Sequence, residues 1–273
     1  MEPYRHFASI YDYVMDTVPY DEWVAFVVSR LAQDQRPRRI LDACCGTGNV
    51  SVRLARAGFR VVGVDRSLSM LQMAEEKGRR LVEGGEVPPH ALAWVCQDVR
   101  ALRLEQPVDA AVCLYDSLNY LLTPEDLQQA LNAMAGAVRP GGLLVFDVYQ
   151  RWDPDQQVPP KQIIQGAGWS LIWENDFDRR TRHWRTNLKG VVREGHRRHR
   201  FTEEHVERAY SLAQVRKALA GAGLREVRAF DGFADHPADR YTTRVVYQAR
   251  KPAWAEQRKP KPRCRGFGQE TME

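Results

Sequence analysis

The chain has 273 residues, 44% of them hydrophobic and 27% charged, which gives it the apolar content of a packed globular protein and excludes a disordered one. No apolar run approaches the roughly 18 residues of a transmembrane helix, and Met1–His6 lacks the charged-then-apolar pattern of an export signal. The net charge of +5 admits a nucleic-acid partner without requiring one. This length suits one domain with an elaboration, or one large and one small domain. Five cysteines, Cys44, Cys45, Cys96, Cys113 and Cys264, form no C-x-x-C pair, the pattern of a reduced, cytoplasmic setting.

Residues 4–34 read as helical. Phe7, Ile10, Tyr11 and Val14 recur at helical spacing, as do Trp23, Phe26, Val27 and Leu31, and Pro19 divides them into two helices. Strands are then expected near 38–42, 60–65, 91–96, 108–114 and 142–148, with helices near 48–57, 68–80 and 124–137. Such alternation predicts an α/β, Rossmann-like, mostly parallel sheet with helices on both faces. Thr123 is the expected cap of the 124–137 helix, with Pro124 at its first position and Glu125 and Asp126 following. Ser211-Leu212-Ala213-Gln214 reads as a capping box whose helix ends at Gly221-Ala222-Gly223, before strands near 224–231 and 241–250.

Residues 151–208 interrupt this order. Asp153-Pro154 and Pro159-Pro160 punctuate the entry. Period-two runs then centre on Trp169-Leu171-Trp173, on Trp184-Thr186-Leu188 and on Phe201-Glu203-His205-Glu207. Three such runs predict a small antiparallel β insertion acting as a lid over the substrate side. The expected organisation is a main unit of residues 1–150 and 209–250, the lid at 151–208, and a basic disordered tail at 251–273.

The richest motif is Asp42-Ala43-Cys44-Cys45-Gly46-Thr47-Gly48, a tight turn after the first strand, paired with Asp65 at the end of the second. Gly46 and Gly48 let a ligand approach the backbone, and Asp65 suits the two hydroxyls of a ribose. The third glycine of the dinucleotide fingerprint is absent, and so is a P-loop. Asp42 opposes a pyrophosphate and suits an ammonium.

These residues resemble the class I S-adenosylmethionine-dependent methyltransferases. The turn 42–48 is similar to that family's D-x-A-C-G-T-G or D-x-G-x-G-x-G, except that Cys44 stands where Gly or Ala is usual. Ser67-Leu68-Ser69-Met70-Leu71 resembles the start of its second helix, Gln97-Asp98-Val99 its adenine-side acid, and Arg139-Pro140-Gly141-Gly142 the turn before its fifth strand. The likeness covers residues 4–150. It implies a seven-stranded sheet with the last strand antiparallel and S-adenosyl-L-methionine as cofactor, leaving S-adenosyl-L-homocysteine. The implied cofactor residues are Tyr11, Asp42, Ala43, Cys44, Gly46, Gly48, Asp65, Arg66, Met70, Asp98, Val99 and Leu114. N-terminal helices lie over the cofactor mouth in such enzymes, so Tyr11 or Tyr20 is expected at the methionine carboxylate, the alternative being helix core.

Methyl transfer needs its reactants held in line more than it needs a conspicuous catalytic group. The loop Leu114–Tyr120 follows the fourth strand and lacks the D-P-P-Y-type motif of base-amino methyltransferases. Tyr115 and Asp116 are its catalytic candidates, and Asn119 and Tyr120 are substrate-facing candidates, as is Tyr20. Glu203–Tyr210 resembles an E-x-H-x-x-R-x-Y phrase of related enzymes, making His205 a candidate general base and Arg208 a substrate ligand. The alternative for His205 is an ion pair on a solvated lid. Trp169, Trp173 and Trp184 are candidates for a substrate floor, against the alternative of lid core. No metal site is expected. The favoured reading is transfer to N or O of a small molecule, with an RNA- or ribosome-directed enzyme and a non-catalytic partner-binding protein as alternatives. Neither oligomeric state nor acceptor is legible.

Overall fold

The computed structural model describes residues 4–32, 39–151, 160–194 and 197–253. Asp153-Pro154, Pro159, Gly195-His196 in the arginine-rich run, and the tail beyond Ala253 with Cys264 lie outside the described residues. Two helices, α1 (Ala8–Val14) and α2 (Tyr20–Leu31), lead into β1 (Arg39–Ala43), α3 (Asn49–Arg56), β2 (Arg60–Asp65), α4 (Leu68–Glu83) and β3 (Leu92–Cys96). Next come β4 (Val108–Cys113), α5 (Pro124–Ala137) and β5 (Val138–Tyr149). The lid strands are β6 (Lys161–Gly166), β7 (Trp169–Asp178), β8 (His183–Glu194) and β9 (Arg197–Arg208). The chain closes with α6 (Leu212–Gly221), β10 (Arg225–Asp231) and β11 (Arg244–Arg250).

The large sheet has the order β10-β11-β5-β4-β1-β2-β3. β1 to β5 pair in parallel, and β11 runs antiparallel to both β5 and β10. The strand sequences are apolar on both faces because both are covered. Successive residues go to opposite sides: Ile40, Val61, Ala110 and Leu143 pack with α2 and α3, while Leu41, Val62, Ala111 and Leu144 pack with α5 and α6. The helix ends follow the sequence. Thr123 Oγ1 accepts from Asp126 N at 3.1 Å, and Ser211 and Gln214 form both halves of a capping box. One boundary differs. β5 begins at Val138 rather than 142, because Arg139–Gly142 is taken up as a register shift between the pairs Val108–Val138 and Ala110–Leu143.

Strand order reverses between β1 and β4, which opens a crevice at their carboxyl ends. The lid lies there as a separate antiparallel sheet of order β6-β7-β8-β9. It has four strands where the sequence predicts three. The extra strand, β6, carries only the doublet Ile163-Ile164, of which Ile163 is 64% exposed, so no alternation marks it. Leu171, Leu188 and Phe201 form the inner face and pack on Phe7, Ile10 and Met15 of the first helical segment. Glu203 makes this contact directional. Its carboxylate accepts from the backbone N–H groups of Tyr4 (2.7 Å), His6 (2.7 Å) and Phe7 (3.0 Å) in the turn that leads into α1.

Candidate active site

A cavity of about 300 Å³ occupies the crevice. The turn after β1 forms its floor, with φ of +57° at Cys44, +54° at Gly46 and +78° at Gly48. A Cβ on Gly48 would stand 2.7 Å from the Trp94 ring, so glycine is required there by packing as well as by backbone. A Cβ on Gly46 would meet nothing within 4 Å. Asp65 ties the turn to the next helix: Gly46 N donates to Oδ2 at 2.9 Å and Ser67 N to Oδ1 at 2.8 Å. Burial raises its carboxyl pKa despite these donors. Asp42 is buried beneath the turn and accepts from Ser51 Oγ at 2.5 Å. Burial pushes its carboxyl up to about 7. A second clasp holds α1 against the turn: Asp12 accepts from Thr47 Oγ1 at 2.6 Å and from Asn49 at 2.9 Å, and pairs with Lys77 at 2.8 Å.

Tyr4, Tyr11, Tyr115 and Tyr120 line this cavity and also a second one of about 490 Å³ beneath the lid. Trp173 and Trp184 of the lid, Tyr149, and the charged groups Asp116, Glu207 and Arg244 enclose the second cavity. Burial raises the pKa of all four shared tyrosines, so they are neutral hydroxyls. Tyr115 and Asp116 have φ of +65° and +50°, a costly backbone for side chains of their size. Asp147, fully buried on β5, holds it in place by accepting from Tyr115 N at 2.7 Å and Asp116 N at 3.0 Å. Arg244 on β11 pairs with Asp147 and, at 2.8 Å, with Asp116.

A chain of polar contacts runs along the lid edge of this second cavity. His205 Nε2 faces Glu203 Oε2 at 3.4 Å, and its Nδ1 lies 3.0 Å from the Tyr120 hydroxyl. Tyr120 in turn lies 2.5 Å from the Tyr4 hydroxyl. Burial works against the Glu203 carboxylate, but His205 and the three backbone donors outweigh it and hold its pKa below the ordinary range. The nearby Glu203 carboxylate is the acidic neighbour of Nε2, and Nδ1 is the ring nitrogen that meets Tyr120.

The crevice sets the carboxyls of Asp42 and Asp65 beside the glycine turn. A family model described as a methyltransferase domain matches residues 40–142. Over 250 residues the chain is 30% identical to YqeM of Bacillus subtilis (strain 168), whose name places it among the methyltransferases; the match covers 91% of this chain and 97% of that protein. The chain belongs to the class I S-adenosylmethionine-dependent methyltransferases. A crystal structure of an S-adenosylmethionine-dependent methyltransferase from Clostridium acetobutylicum ATCC 824 superposes with a TM-score of 0.76 at 27% identity, over 92% of this chain and 100% of that one. The glycine N-methyltransferase of Rattus norvegicus is 35% identical over 142 residues, 48% of this chain and 45% of that protein. S-adenosylmethionine is the cofactor of this methyltransferase. The cavity's acids, Asp42 and Asp65 among them, and the open space over Gly46 fit its ammonium, ribose and sulfonium.

Most residues that the sequence assigns to the methyltransferase's cofactor line the first cavity: Tyr11, Asp42, Cys44, Gly46, Asp65, Arg66, Met70, Asp98, Val99 and Leu114. Both oxygens of Asp98 are also engaged by the Arg100 guanidinium, at 3.0 and 2.7 Å. Ala43 and Gly48 do not line it, being turned into the sheet core and against Trp94 respectively. Tyr20 lines the cofactor cavity rather than the second one, because α2 places it beside Asn49. Tyr120 and Trp173 line the second cavity, as do the catalytic candidates Tyr115, Asp116 and His205.

Three substrate candidates fall away from both cavities. Asn119 is buried and bridges strands, donating to Tyr149 O and Arg208 O and accepting from Tyr149 N. Trp169 packs over Gly166 at the β6–β7 turn. Arg208 donates to Leu122 O and stacks on Tyr210. The sequence reading missed Tyr4, Glu207, Tyr149 and Arg244. The alternation of β9 already set Glu207 on the face of His205. The Arg244–Asp147 pair spans 97 positions and carries no local signal.

Proposed function

We propose that this methyltransferase transfers the methyl group of S-adenosylmethionine to N or O of a small-molecule acceptor seated beneath the lid. The observation that carries this reading is the second cavity. It shares four tyrosines with the cofactor cavity and is closed by lid side chains, so it suits a compact guest. When bound, the cofactor supplies a methyl group already activated by the positive charge on its sulfur. Asp65 holds the ribose and Asp42 the ammonium, while the Leu114–Tyr120 loop fixes the acceptor in line, a positioning effect worth on the order of 7–11 kcal/mol. His205 acts through Tyr120: the Tyr120 hydroxyl takes a proton from the acceptor as it passes its own to His205 Nδ1, and the Glu203 carboxylate faces the other ring nitrogen.

The rat glycine N-methyltransferase supports nitrogen as the attacking atom, and its likeness covers 48% of this chain. The RNA-directed alternative draws on exposed Arg197, Arg198 and Arg200 of β9. These stand at the far end of the strand from His205. Radiolabelled S-adenosylmethionine, incubated with the protein and with separated small-molecule, RNA and protein fractions of a bacterial extract, tests the choice. Label is expected in the small-molecule fraction. Label confined to RNA would overturn the reading.

A further inference from the structure

The acceptor cavity has a charge imbalance that the methyl-transfer reading leaves unused. Its lining acids are Asp116 and Glu207, and its lining guanidinium is Arg244. Arg244 is already committed to Asp147 and Asp116, and its guanidinium lies over the Tyr149, Trp23 and Tyr115 rings, at 4.3, 5.1 and 5.6 Å from their centroids. The Arg244 charge also reaches Glu207 but does not offset its burial. One of its oxygens, Oε2, is wholly buried and lacks a hydrogen-bond partner. Its neighbours within hydrogen-bonding contact are Asp116 and Tyr120, an acid and a neutral hydroxyl. Burial and then the Asp116 charge raise the pKa of its carboxyl. Two buried carboxyls in contact, one with an orphaned oxygen, are costly unless something positive completes them.

The walls around the pair are aromatic. Tyr4, Tyr115, Tyr120, Tyr149, Trp173 and Trp184 all line this space. Aromatic faces attract a cation and repel an anion. Both acids also lie where the two cavities meet. Asp116 follows Tyr115, and Glu207 touches Tyr120, and both tyrosines line the cofactor cavity as well.

The geometry points to a cationic amine as the acceptor, its ammonium received by Asp116 and Glu207 inside the aromatic walls and its nitrogen the atom methylated. This inference rests on the small-molecule reading above. On binding, the ammonium donates to the free oxygen of Glu207, and its charge favours ionisation of that carboxyl. One ammonium proton passes to the Tyr120 hydroxyl, whose own proton moves to His205 Nδ1. The freed nitrogen lone pair forms the new N–C bond as the C–S bond breaks with its electrons going to sulfur. The products are a methylated ammonium and the neutral sulfide, and the proton on His205 leaves to solvent. A neutral alcohol would bring no charge to the pair.

The test is calorimetric titration of the protein, saturated with S-adenosylhomocysteine, with primary amines of increasing size and with the matched alcohols, such as benzylamine against benzyl alcohol. At least one amine is expected to bind ten-fold or more tightly than its alcohol. Glu207→Gln is expected to reduce that preference to three-fold or less while leaving S-adenosylhomocysteine affinity unchanged. Label from S-adenosylmethionine is expected in the preferred amine. Equal binding of amines and alcohols, or a preference that survives in Glu207→Gln, overturns the amine inference with the methyltransferase reading intact. Failure to bind S-adenosylhomocysteine strikes the earlier reading instead. If Glu207→Gln does not fold, Asp116→Asn replaces it, and the amine–alcohol ratio in the unaltered protein decides alone.

Discussion

The two halves of the site are built on different principles. The cofactor half is centred on one stretch of chain: the turn after β1, the end of β2 and the start of α4, joined through Asp65. The acceptor half is made by distant chain: Tyr4, Asp116, Glu207 and Arg244 meet only because β5, β9 and β11 are brought together. Local geometry can be kept while the distant half changes partners. This division explains how a shared cofactor site serves many acceptors.

The sharpest way to break the comparison is to damage each core separately. Leu131→Ala in the main core and Leu171→Ala in the lid core each remove a fully buried side chain. Each is expected to cost about 2–5 kcal/mol of local stability. Calorimetric unfolding with and without S-adenosylhomocysteine separates them. The lid variant keeps ligand stabilisation, and the main-core variant loses most of it. Equal losses would mean that the halves are one cooperative unit.

Asp65→Ala comes next. It removes two backbone anchors of the turn along with the proposed ribose contact. At about 1.5–3 kcal/mol per hydrogen bond to a charged group, S-adenosylmethionine affinity falls about 100-fold or more. Amine binding at the far cavity is affected far less.

The pH dependence of the two halves also differs. Asp42, raised from 3.8 to about 7, keeps its proton in the folded protein over a range where the unfolded chain has lost it. The folded state therefore binds more protons between pH 4 and 7, so stability falls as pH rises through that window. A bound ammonium favours the carboxylate. Below pH 7, cofactor binding must therefore expel a proton, and affinity drops up to about ten-fold per pH unit. Titration in buffers of different ionisation enthalpy reads this proton directly. In Asp42→Asn the release is expected to vanish. Unchanged release in that variant would place the titrating group elsewhere.

The smallest effect sharpens the boundary of the acceptor half. Trp173→Phe, at the cavity wall, is expected to raise acceptor KM a few-fold. Trp169→Phe, outside it, is expected to leave KM and kcat unchanged.

The sheet was legible because buried parallel strands write themselves as short apolar runs between glycines and caps, and the turn 42–48 carries its own spacing. The acceptor cavity was only half legible. Alternation along β9 turned Glu203, His205 and Glu207 inward as expected. Loop position misplaced Asn119, and the likeness of residues 203–210 to a family phrase misplaced Arg208, because polar residues beside a crevice serve strand-to-strand satisfaction as readily as ligands. Asn119 spends its whole amide on Tyr149 and Arg208, a demand set by β5 and β9 meeting rather than by the loop that carries it. Trp169 obeys the period of β7 but lies at its end, beyond the cavity.

Glu203 sits on the lid, yet the three N–H groups it collects belong to residues 4–7, and Tyr4 is a wall of both cavities. Swinging the lid away therefore takes a wall from each chamber at once. One carboxylate thus fastens a wall that the cofactor and acceptor cavities share, and its loss would be felt in both.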